Sequence, residues 1–467
     1  MFTHLHLRNF KAWRDTGPIR LAPLTVFFGV NSSGKTSLGQ LLLMLQQTIE
    51  SPDRQRVLHT GDHNTAVELG TFEDFVYAHD VARDIEIDFA WKLPKRLRVD
   101  NPLDPAQAFS GRQMGFEARI GRVPSGESNG RLVVHDLAYS LASDGGNNGD
   151  PLVVRMTRDD SARYALAAEP YALKQPRGRP PRMPAPNRFY GFPDEAVAYY
   201  QNSDFIQDFA LALEQQFRDL HYVGPLREYP ARTYLWSGEV PHDVGRRGER
   251  AVEAILAAQA RQISPGSRRH YKAFQEVIAR WLRALGLIET FNAAPIAEGR
   301  KEYEVRVQTA RTAQEVHLTD VGFGVSQVLP VVVQCFYVPH DAVVLFEQPE
   351  IHLHPKVQAG LADLFVEAIH AREDSRDRNL QLIVESHSEH FLRRLQRRVA
   401  EGAVTPDDVA LYVCRPGQNG AVIEPLQLDL YGNIANWPEH FFGDEMGDLV
   451  AMANAAEARQ QQESTSA

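Results

Sequence analysis

The stretch Gly29-Val30-Asn31-Ser32-Ser33-Gly34-Lys35-Thr36 decides the fold of this chain. It follows an apolar run at residues 24–28 and precedes a leucine-rich segment that begins near Leu38. A strand, a glycine loop and a helix in this order form a P-loop, whose backbone N–H groups bind phosphate at the positive end of the helix. We expect Lys35 to reach the β- and γ-phosphate oxygens and Thr36 to ligate Mg²⁺. The other residues expected around the phosphates are Gly29, Asn31, Ser32, Ser33, Gly34 and Ser37.

Composition excludes several classes of protein. The chain has 467 residues, of which 43% are apolar and 24% charged, as in globular proteins with two or three domain-sized units. Its formal net charge of −10 argues against a surface devoted to nucleic acid, although basic clusters occur at residues 268–269 and 393–398. No apolar run reaches the length of a membrane span, and residues 1–7 alternate like a strand instead of a signal peptide. With Cys335 and Cys414 in apolar runs, the sequence predicts a cytoplasmic protein with buried free thiols.

Hydropathy patterns divide the chain into five segments. Residues 1–190 are predicted to form an N-terminal ATPase lobe with the P-loop and a β-rich subdomain, because apolar residues alternate near 85–89 and 132–135. Residues 191–290 space apolar side chains by three and four, which predicts a helical insertion. Residues 291–400 alternate strand and helix as a C-terminal ATPase lobe, and residues 401–454 are expected to hold strands and an aromatic tail. The polar residues 455–467 are expected to be disordered.

The later part of the chain supplies three further elements of a nucleotide site. The buried strand predicted at residues 341–346 ends at Glu347, the position at which a Walker-B acid holds Mg²⁺. Upstream, a glycine turn with Gly324 leads to Ser326 as a helix N-cap and to Gln327, which predicts a second anion-binding helix terminus. Downstream, a strand at residues 382–385 ends just before His387. Each element taken singly is more often only structural, but their order along the chain is that of ABC-type ATPases.

Two segments carry a resemblance to a known group. Residues 347–355 are similar to a segment of OLD-type ATPases, which are relatives of RecF and SMC proteins, and residues 9–13 look like the opening of the same group. Residues 222–249 and 431–444 resemble a bacterial subfamily of these ATPases that has an uncharacterised C-terminal domain. Arginines in the first of these segments would sense phosphate or cross the dimer interface or, equally, only cap carboxylates.

The resemblance implies an α/β fold of the ABC ATPase head class and a homodimer that holds two ATP·Mg²⁺ between its subunits. Ser326 of one subunit would then meet the γ-phosphate held by Lys35 of the other. Lys11 would lie close to the phosphates and Trp13 near the adenine, with a surface lysine and a core tryptophan as the alternatives.

The sequence departs from the group at two points. The group usually has a catalytic glutamate where this chain has Gln348, and an amide cannot take a proton from water, so hydrolysis should be slow unless Glu350 or another group substitutes. His387 completes the predicted catalytic set. Only 80 residues follow His387, without the clustered acids of a Toprim nuclease, which implies a separate effector protein.

The favoured interpretation is a slow ATP-driven dimeric switch in anti-phage defence or DNA maintenance. A non-hydrolysing, ATP-dependent scaffold for a partner protein is the second interpretation, and an SMC-like clamp on DNA is the third. No membrane partner is expected.

Overall fold

A computed structural model describes residues 1–104, 108–123, 130–143, 150–175, 182–266, 270–309, 314–437 and 445–466. The basic pair at residues 268–269 and the end of the aromatic segment at residues 438–444 lie outside the described residues.

Twenty-two strands are present in the described part of the chain. They are β1 (Phe2–Phe10), β2 (Trp13–Asp15), β3 (Ile19–Arg20), β4 (Leu24–Gly29), β5 (Ile85–Asp100), β6 (Ala108–Val123), β7 (Arg131–Ala142), β8 (Leu152–Arg158), β9 (Tyr164–Glu169), β10 (Leu220–Val223), β11 (Tyr234–Leu235), β12 (Gln262–Ser264), β13 (Lys272–Ala273), β14 (Thr290–Pro295), β15 (Glu302–Gln308), β16 (Val316–His317), β17 (Val343–Glu347), β18 (Arg372–Glu373), β19 (Arg376–Asp377), β20 (Gln381–Ser386), β21 (Val409–Gly417) and β22 (Gly420–Pro425).

Ten α-helices accompany them in the same residues. They are α1 (Lys35–Glu50), α2 (Phe72–Phe75), α3 (Asp194–Tyr199), α4 (Phe205–Arg218), α5 (Ala251–Ala257), α6 (Phe274–Ala284), α7 (Phe323–Tyr337), α8 (Pro355–Ile369), α9 (Glu389–Ala400) and α10 (Glu445–Ser466). No helix in the described ranges is both long and apolar enough to cross a membrane.

A six-stranded sheet positions the predicted site. Its strand order is β10-β17-β20-β4-β21-β22, and the first five strands are parallel to their neighbours. Their residues are buried almost without interruption, as expected for a sheet covered on both faces. Ligands of such sheets bind at the carboxyl ends of the strands, and β4, β17 and β20 all end at that edge.

An eight-stranded antiparallel sheet confirms the β-rich first lobe. It runs in the order β2-β1-β5-β6-β7-β8-β9, with β3 also paired to β1. Along β5, Ile85, Ile87, Phe89 and Trp91 are buried while the residues between them are half-buried, which is the period-two pattern seen in the sequence. Two small sheets complete the fold, β11-β15-β14 with β16 and β13-β12-β18-β19.

The structure adds detail to three of the predicted segments. Residues 191–290 contain helices α3, α4, α5 and α6, as expected of a helical insertion, and also strand β10, which pairs in parallel with β17 as an edge strand of the central sheet. Residues 401–454 contain the predicted strands, and one of them, β21, pairs in parallel with the P-loop strand β4. The segment expected to be disordered from residue 455 lies in helix α10, whose alanine, glutamate and glutamine residues have high helix propensity.

Candidate nucleotide-binding site

The P-loop has the predicted order of elements. Strand β4 ends at Gly29, helix α1 begins at Lys35, and Gly34 at the N-cap has a φ of 91°. A Cβ on Gly29 would lie 2.2 Å from the carbonyl oxygen of Cys414, and one on Gly34 would lie 3.0 Å from the ring of Trp13. Both positions therefore require glycine, because the loop passes directly over neighbouring chain.

The side chain of Lys35 is folded into the loop. Its Nζ donates hydrogen bonds to the carbonyl oxygens of Gly29 at 3.0 Å and Val30 at 2.8 Å. Burial lowers its pKa, and Glu385, whose Oε1 lies 4.0 Å from Nζ, partly opposes this effect. The ammonium group is thus already surrounded by oxygen atoms, as a group that binds phosphate oxygens must be.

A surface cleft joins the P-loop to the ends of strands β17 and β20. Its lining includes nearly all the residues predicted to surround the phosphates, together with Gln348 and His387. The lining residues are Lys11, Ala12, Asn31, Ser32, Ser33, Gly34, Lys35, Thr36, Ser37, Gln348, Glu385 and His387. The structure therefore brings together residues that lie more than 300 positions apart in the sequence.

Two carboxylates lie beside Thr36, one of which the sequence analysis missed. Glu347 and Glu385 are opposite each other in the paired strands β17 and β20. The Thr36 hydroxyl donates to Glu385 Oε1 at 3.0 Å, whereas Glu347 Oε2 accepts from the Tyr222 hydroxyl at 2.7 Å. Burial raises the pKa of Glu385, although the Thr36 hydrogen bond favours its charged form. A hydroxyl and two carboxylates form an oxygen-rich donor set that fits Mg²⁺, with Glu385 as a second candidate ligand.

Gln348 and His387 are in direct contact. The amide Nε2 of Gln348 lies 3.3 Å from Nε2 of His387, and both residues line the cleft. Gln348 has a φ of +44°, a left-handed conformation that is rare for a residue with a side chain. Its backbone N–H donates to the carbonyl oxygen of Glu385 at 2.9 Å, which holds the turn against the end of β20. The amide is positioned to orient a water but not to take its proton.

Glu350 faces away from the cleft. Its Oε1 accepts hydrogen bonds from the Ser386 hydroxyl at 2.9 Å and from the backbone N–H of His387 at 2.6 Å, and the residue is 6% exposed. Burial raises its pKa. The carboxyl group that lines the cleft is that of Glu385 instead, so Glu350 is placed to position His387.

Arg227 is an unusual buried arginine near the same acids. It is 5% exposed, and its three guanidinium nitrogens have no hydrogen-bond partner among the described residues. Burial lowers its pKa to about 10, while Tyr222, Glu350 and Glu347 act in the opposite direction. The sequence pointed to this arginine only through a segment resemblance, because spacing cannot show that a guanidinium is buried.

Lys11 lies at the cleft, whereas Trp13 lies in the core. Lys11 lines the cleft, where its Nζ donates to Gln40 Oε1 at 2.6 Å, in agreement with a position near phosphates. Trp13 is fully buried and donates from Nε1 to the carbonyl oxygen of Gly34 at 3.1 Å. The expectation that Trp13 contacts adenine is therefore wrong: its side chain points inward from β2 and supports the P-loop from below.

The glycine and serine element lies at the start of α7. Its helix N-cap is Gly322, so Ser326 is not the cap as predicted; it lies one turn into the helix and donates to the carbonyl oxygen of Phe323 at 2.7 Å. Gln327 is 2% exposed, and Gly324 is half-buried. None of Gly324, Ser326 and Gln327 lines the P-loop cleft of its own chain.

Comparisons with known proteins agree with this architecture. Residues 175–393 match a family described as AAA domain, putative AbiEii toxin, Type IV TA system, and residues 404–452 match a family of unknown function, DUF3696. No curated protein matches the chain.

Three solved SMC head structures are similar to the chain. One is an SMC head bound to the C-winged helix domain of ScpA, with 11% identity, a TM-score of 0.40, and coverage of 92% of this chain and 98% of that one. A second is the SMC head domain from Thermotoga maritima, with 12% identity, a TM-score of 0.38, and coverage of 91% and 99%. A third, derived from Pyrococcus furiosus, is an Smc head domain with an extended coiled coil bound to the C-terminal domain of ScpA; it has 10% identity, a TM-score of 0.39, and coverage of 91% and 96%.

The AAA match, together with a P-loop at the carboxyl edge of a mainly parallel sheet, agrees with the predicted α/β fold of a P-loop ATPase. The second match confirms the uncharacterised C-terminal segment.

Proposed function

We propose that this AAA/ABC-class ATPase chain is a dimeric switch that binds ATP·Mg²⁺ between two copies, hydrolyses it slowly, and acts on a separate effector protein. One observation carries the proposal. A single cleft contains a P-loop lysine, the Mg²⁺-type pair of Thr36 and Glu385, and the Gln348–His387 contact at the expected place of the γ-phosphate.

Slow hydrolysis is supported by the chemistry of Gln348. Its amide can hold a water but has no basic group, and Glu350 is occupied by Ser386 and His387. Glu385 is the cleft carboxylate that remains, but it accepts from Thr36 and would share Mg²⁺ with Glu347. A carboxylate bound to a metal ion is a weak base, so turnover should be limited by proton transfer.

Dimerisation is supported by the surface around the N-terminus of α7. Phe323 is 38% exposed there and contacts the ring of Tyr229, which is 75% exposed, at 5.4 Å between centroids. Leu226, two residues after Gly224, is 68% exposed. Helix N-termini can bind phosphate, and exposed apolar side chains lie beside this one. Such a surface favours contact with another chain.

The matched family description names a putative AbiEii toxin of a type IV toxin–antitoxin system, which supports a place in bacterial defence. Direct clamping of DNA is less favoured, because arginines of the basic stretch on α9 pair with Asp363, Glu389 and Glu401. A separate effector would then supply the toxic or nuclease activity.

Binding of ATP tests the assignment of the cleft. Lys35→Ala removes the ammonium that contacts phosphate oxygens, and we expect ATP affinity, measured by calorimetry with Mg²⁺, to fall at least about ten-fold. Lys272→Ala, on the exposed strand β13, is the matched control and should bind ATP like the wild type. Equal affinity in Lys35→Ala and wild type, with both chains folded by circular dichroism, would refute the P-loop assignment.

A further inference from the structure

Two histidines and an aspartate meet at the edge of the central sheet, away from the nucleotide cleft. His221 lies in β10, while His242 and Asp243 lie in the loop between β11 and α5. One ligand atom from each residue lies within 4.8 Å of the others. Asp243 Oδ2 is 3.4 Å from Nδ1 of His221 and 3.8 Å from Nδ1 of His242.

These separations are long for hydrogen bonds and suitable for shared ligation. An N–H···O bond has its atoms about 2.7–3.2 Å apart. Zinc binds nitrogen and oxygen at about 2.0–2.2 Å, so two ligands of one tetrahedral ion lie about 3.3–3.6 Å apart. Asp243 Oδ2 therefore lies at nearly this ligand-to-ligand spacing from each imidazole nitrogen, and all three atoms lie within 4.8 Å of one another.

The aspartate is held so that this oxygen faces the histidines. Its other oxygen, Oδ1, accepts from the backbone N–H of Gly245 at 2.9 Å and from the guanidinium of Arg250. Orientation of one carboxylate oxygen by outer partners is typical of metal ligands.

The site is buried on one side and open on the other. The side chain of His221 is fully buried, whereas that of His242 is 58% exposed. The adjoining cavity has His242, Asp243, Glu50 and Glu249 in its lining, together with Arg246 and Arg250, and leaves room for water or a carboxylate as a fourth ligand. Both cysteines are buried elsewhere in the core and do not offer a competing thiolate site.

We propose that His221, His242 and Asp243 bind a borderline divalent metal ion of the Zn²⁺ type. The ion would link the loop at residues 242–250 to the edge strand β10, through His242 and Asp243 on the loop and His221 on the strand. That strand also carries Tyr222, whose hydroxyl donates to Glu347, and the loop accepts the Gly224 N–H at the carbonyl oxygen of Arg246 over 2.8 Å. Metal binding would thus stabilise the strand end that supports the Walker-B acid, independently of whether ATP is bound.

Metal content of the full-length chain tests the proposal. Nucleotide-free protein, equilibrated with buffered Zn²⁺ and dialysed, should retain one Zn²⁺ per chain by elemental analysis. Co²⁺ should give the intense visible absorption of a tetrahedral site, which nucleotide-bound Mg²⁺ sites do not produce. His242→Gln should weaken Zn²⁺ binding at least about ten-fold, because it removes one of three protein ligands.

The controls separate this site from adventitious binding. His390→Gln removes an exposed histidine of α9 that is outside the cluster and should bind Zn²⁺ like the wild type. Since His242 is exposed, its replacement should leave the fold intact, which keeps the test valid if the buried His221→Gln does not fold. Equal Zn²⁺ affinity in wild type and His242→Gln, or no retained Zn²⁺ in the wild type, would show that the cluster is only a histidine–aspartate ion pair.

Discussion

Placing a carboxylate at position 348 is the most direct test of whether the cleft lacks a general base for the attacking water. Gln348→Glu changes one neutral group to a charged one at nearly constant volume, beside His387 and across from Glu385. Residue 348 already has a left-handed backbone in the wild type, so the substitution adds no backbone strain and the new side chain should occupy the same place. The substitution therefore alters the basicity of the site more than its geometry.

The size of the effect follows from two opposing terms. General-base catalysis contributes about 10²- to 10⁴-fold. Glu347 and Glu385 are nearby carboxylates that raise the pKa of a third one and reduce its charged fraction. We therefore expect an effect smaller than this range, a rise in ATP turnover of about ten-fold or more, and ten-fold corresponds to about 1.4 kcal/mol of barrier. The gain should grow as pH rises through the range in which the new carboxylate loses its proton.

Steady-state phosphate release at saturating ATP, measured from pH 5.5 to about 8.5, is the appropriate assay. Glu385→Gln should be measured beside it, because it removes the carboxylate that already lines the cleft. If Glu385 is the true base, Glu385→Gln will abolish turnover and Gln348→Glu will add little. Fast wild-type hydrolysis that Gln348→Glu does not improve would refute the slow-switch reasoning.

Three further changes probe the dimer surface and the buried charges. Phe323→Asp should leave ATP binding intact but abolish ATP-dependent association in light scattering, because a charge enters an apolar patch; Leu430→Asp, at another exposed apolar position, should associate normally. Burial raises the pKa of Glu350 above its ordinary 4.5, so the folded chain holds this proton more tightly than the unfolded chain and wild-type stability should fall as pH rises above about 4.5. Glu350→Gln should flatten that fall in urea titrations, and an unchanged slope would contradict the buried-carboxyl argument. Arg227→Met should cost little stability, since it removes a buried charge that has no hydrogen-bond partner among the described residues. Arg378→Met removes hydrogen bonds to the Cys335 and Val338 carbonyl oxygens and the ion pair with the buried Glu373, so it should lower the free energy of unfolding by about 3–5 kcal/mol.

Elements with strong local signals were predictable from the sequence. The P-loop strand was expected at residues 24–28 and lies at Leu24–Gly29, and the buried strands before Glu347 and His387 also occur where the apolar runs placed them. Each of these has a short apolar run bounded by glycine, proline or an acid, which is enough to define a buried strand.

Features that depend on tertiary contacts were not predictable. Glu385 was read only as the end of a strand, because its partner Thr36 is 349 positions away in the chain. The burial of Trp13 depends on which face of a three-residue strand points inward, and period-two reasoning needs a longer segment to decide that. Strand β10 could not be recognised between the amphipathic helices, because its four residues are too few to show alternation.

The position of the P-loop strand in the sheet determines when the protein can become active during synthesis. Strand β4 is made within the first thirty residues, yet both of its neighbours, Gln381–Ser386 and Val409–Gly417, come from the last fifth of the chain. A nascent chain that ends before these strands leaves both edges of β4 unpaired and lacks Glu385 and His387. Such long-range pairing forms slowly, because large loops must close before any contact is gained. Nucleotide binding should therefore arise only after residues 381–417 have been synthesised, so chains that terminate before these strands should not bind ATP.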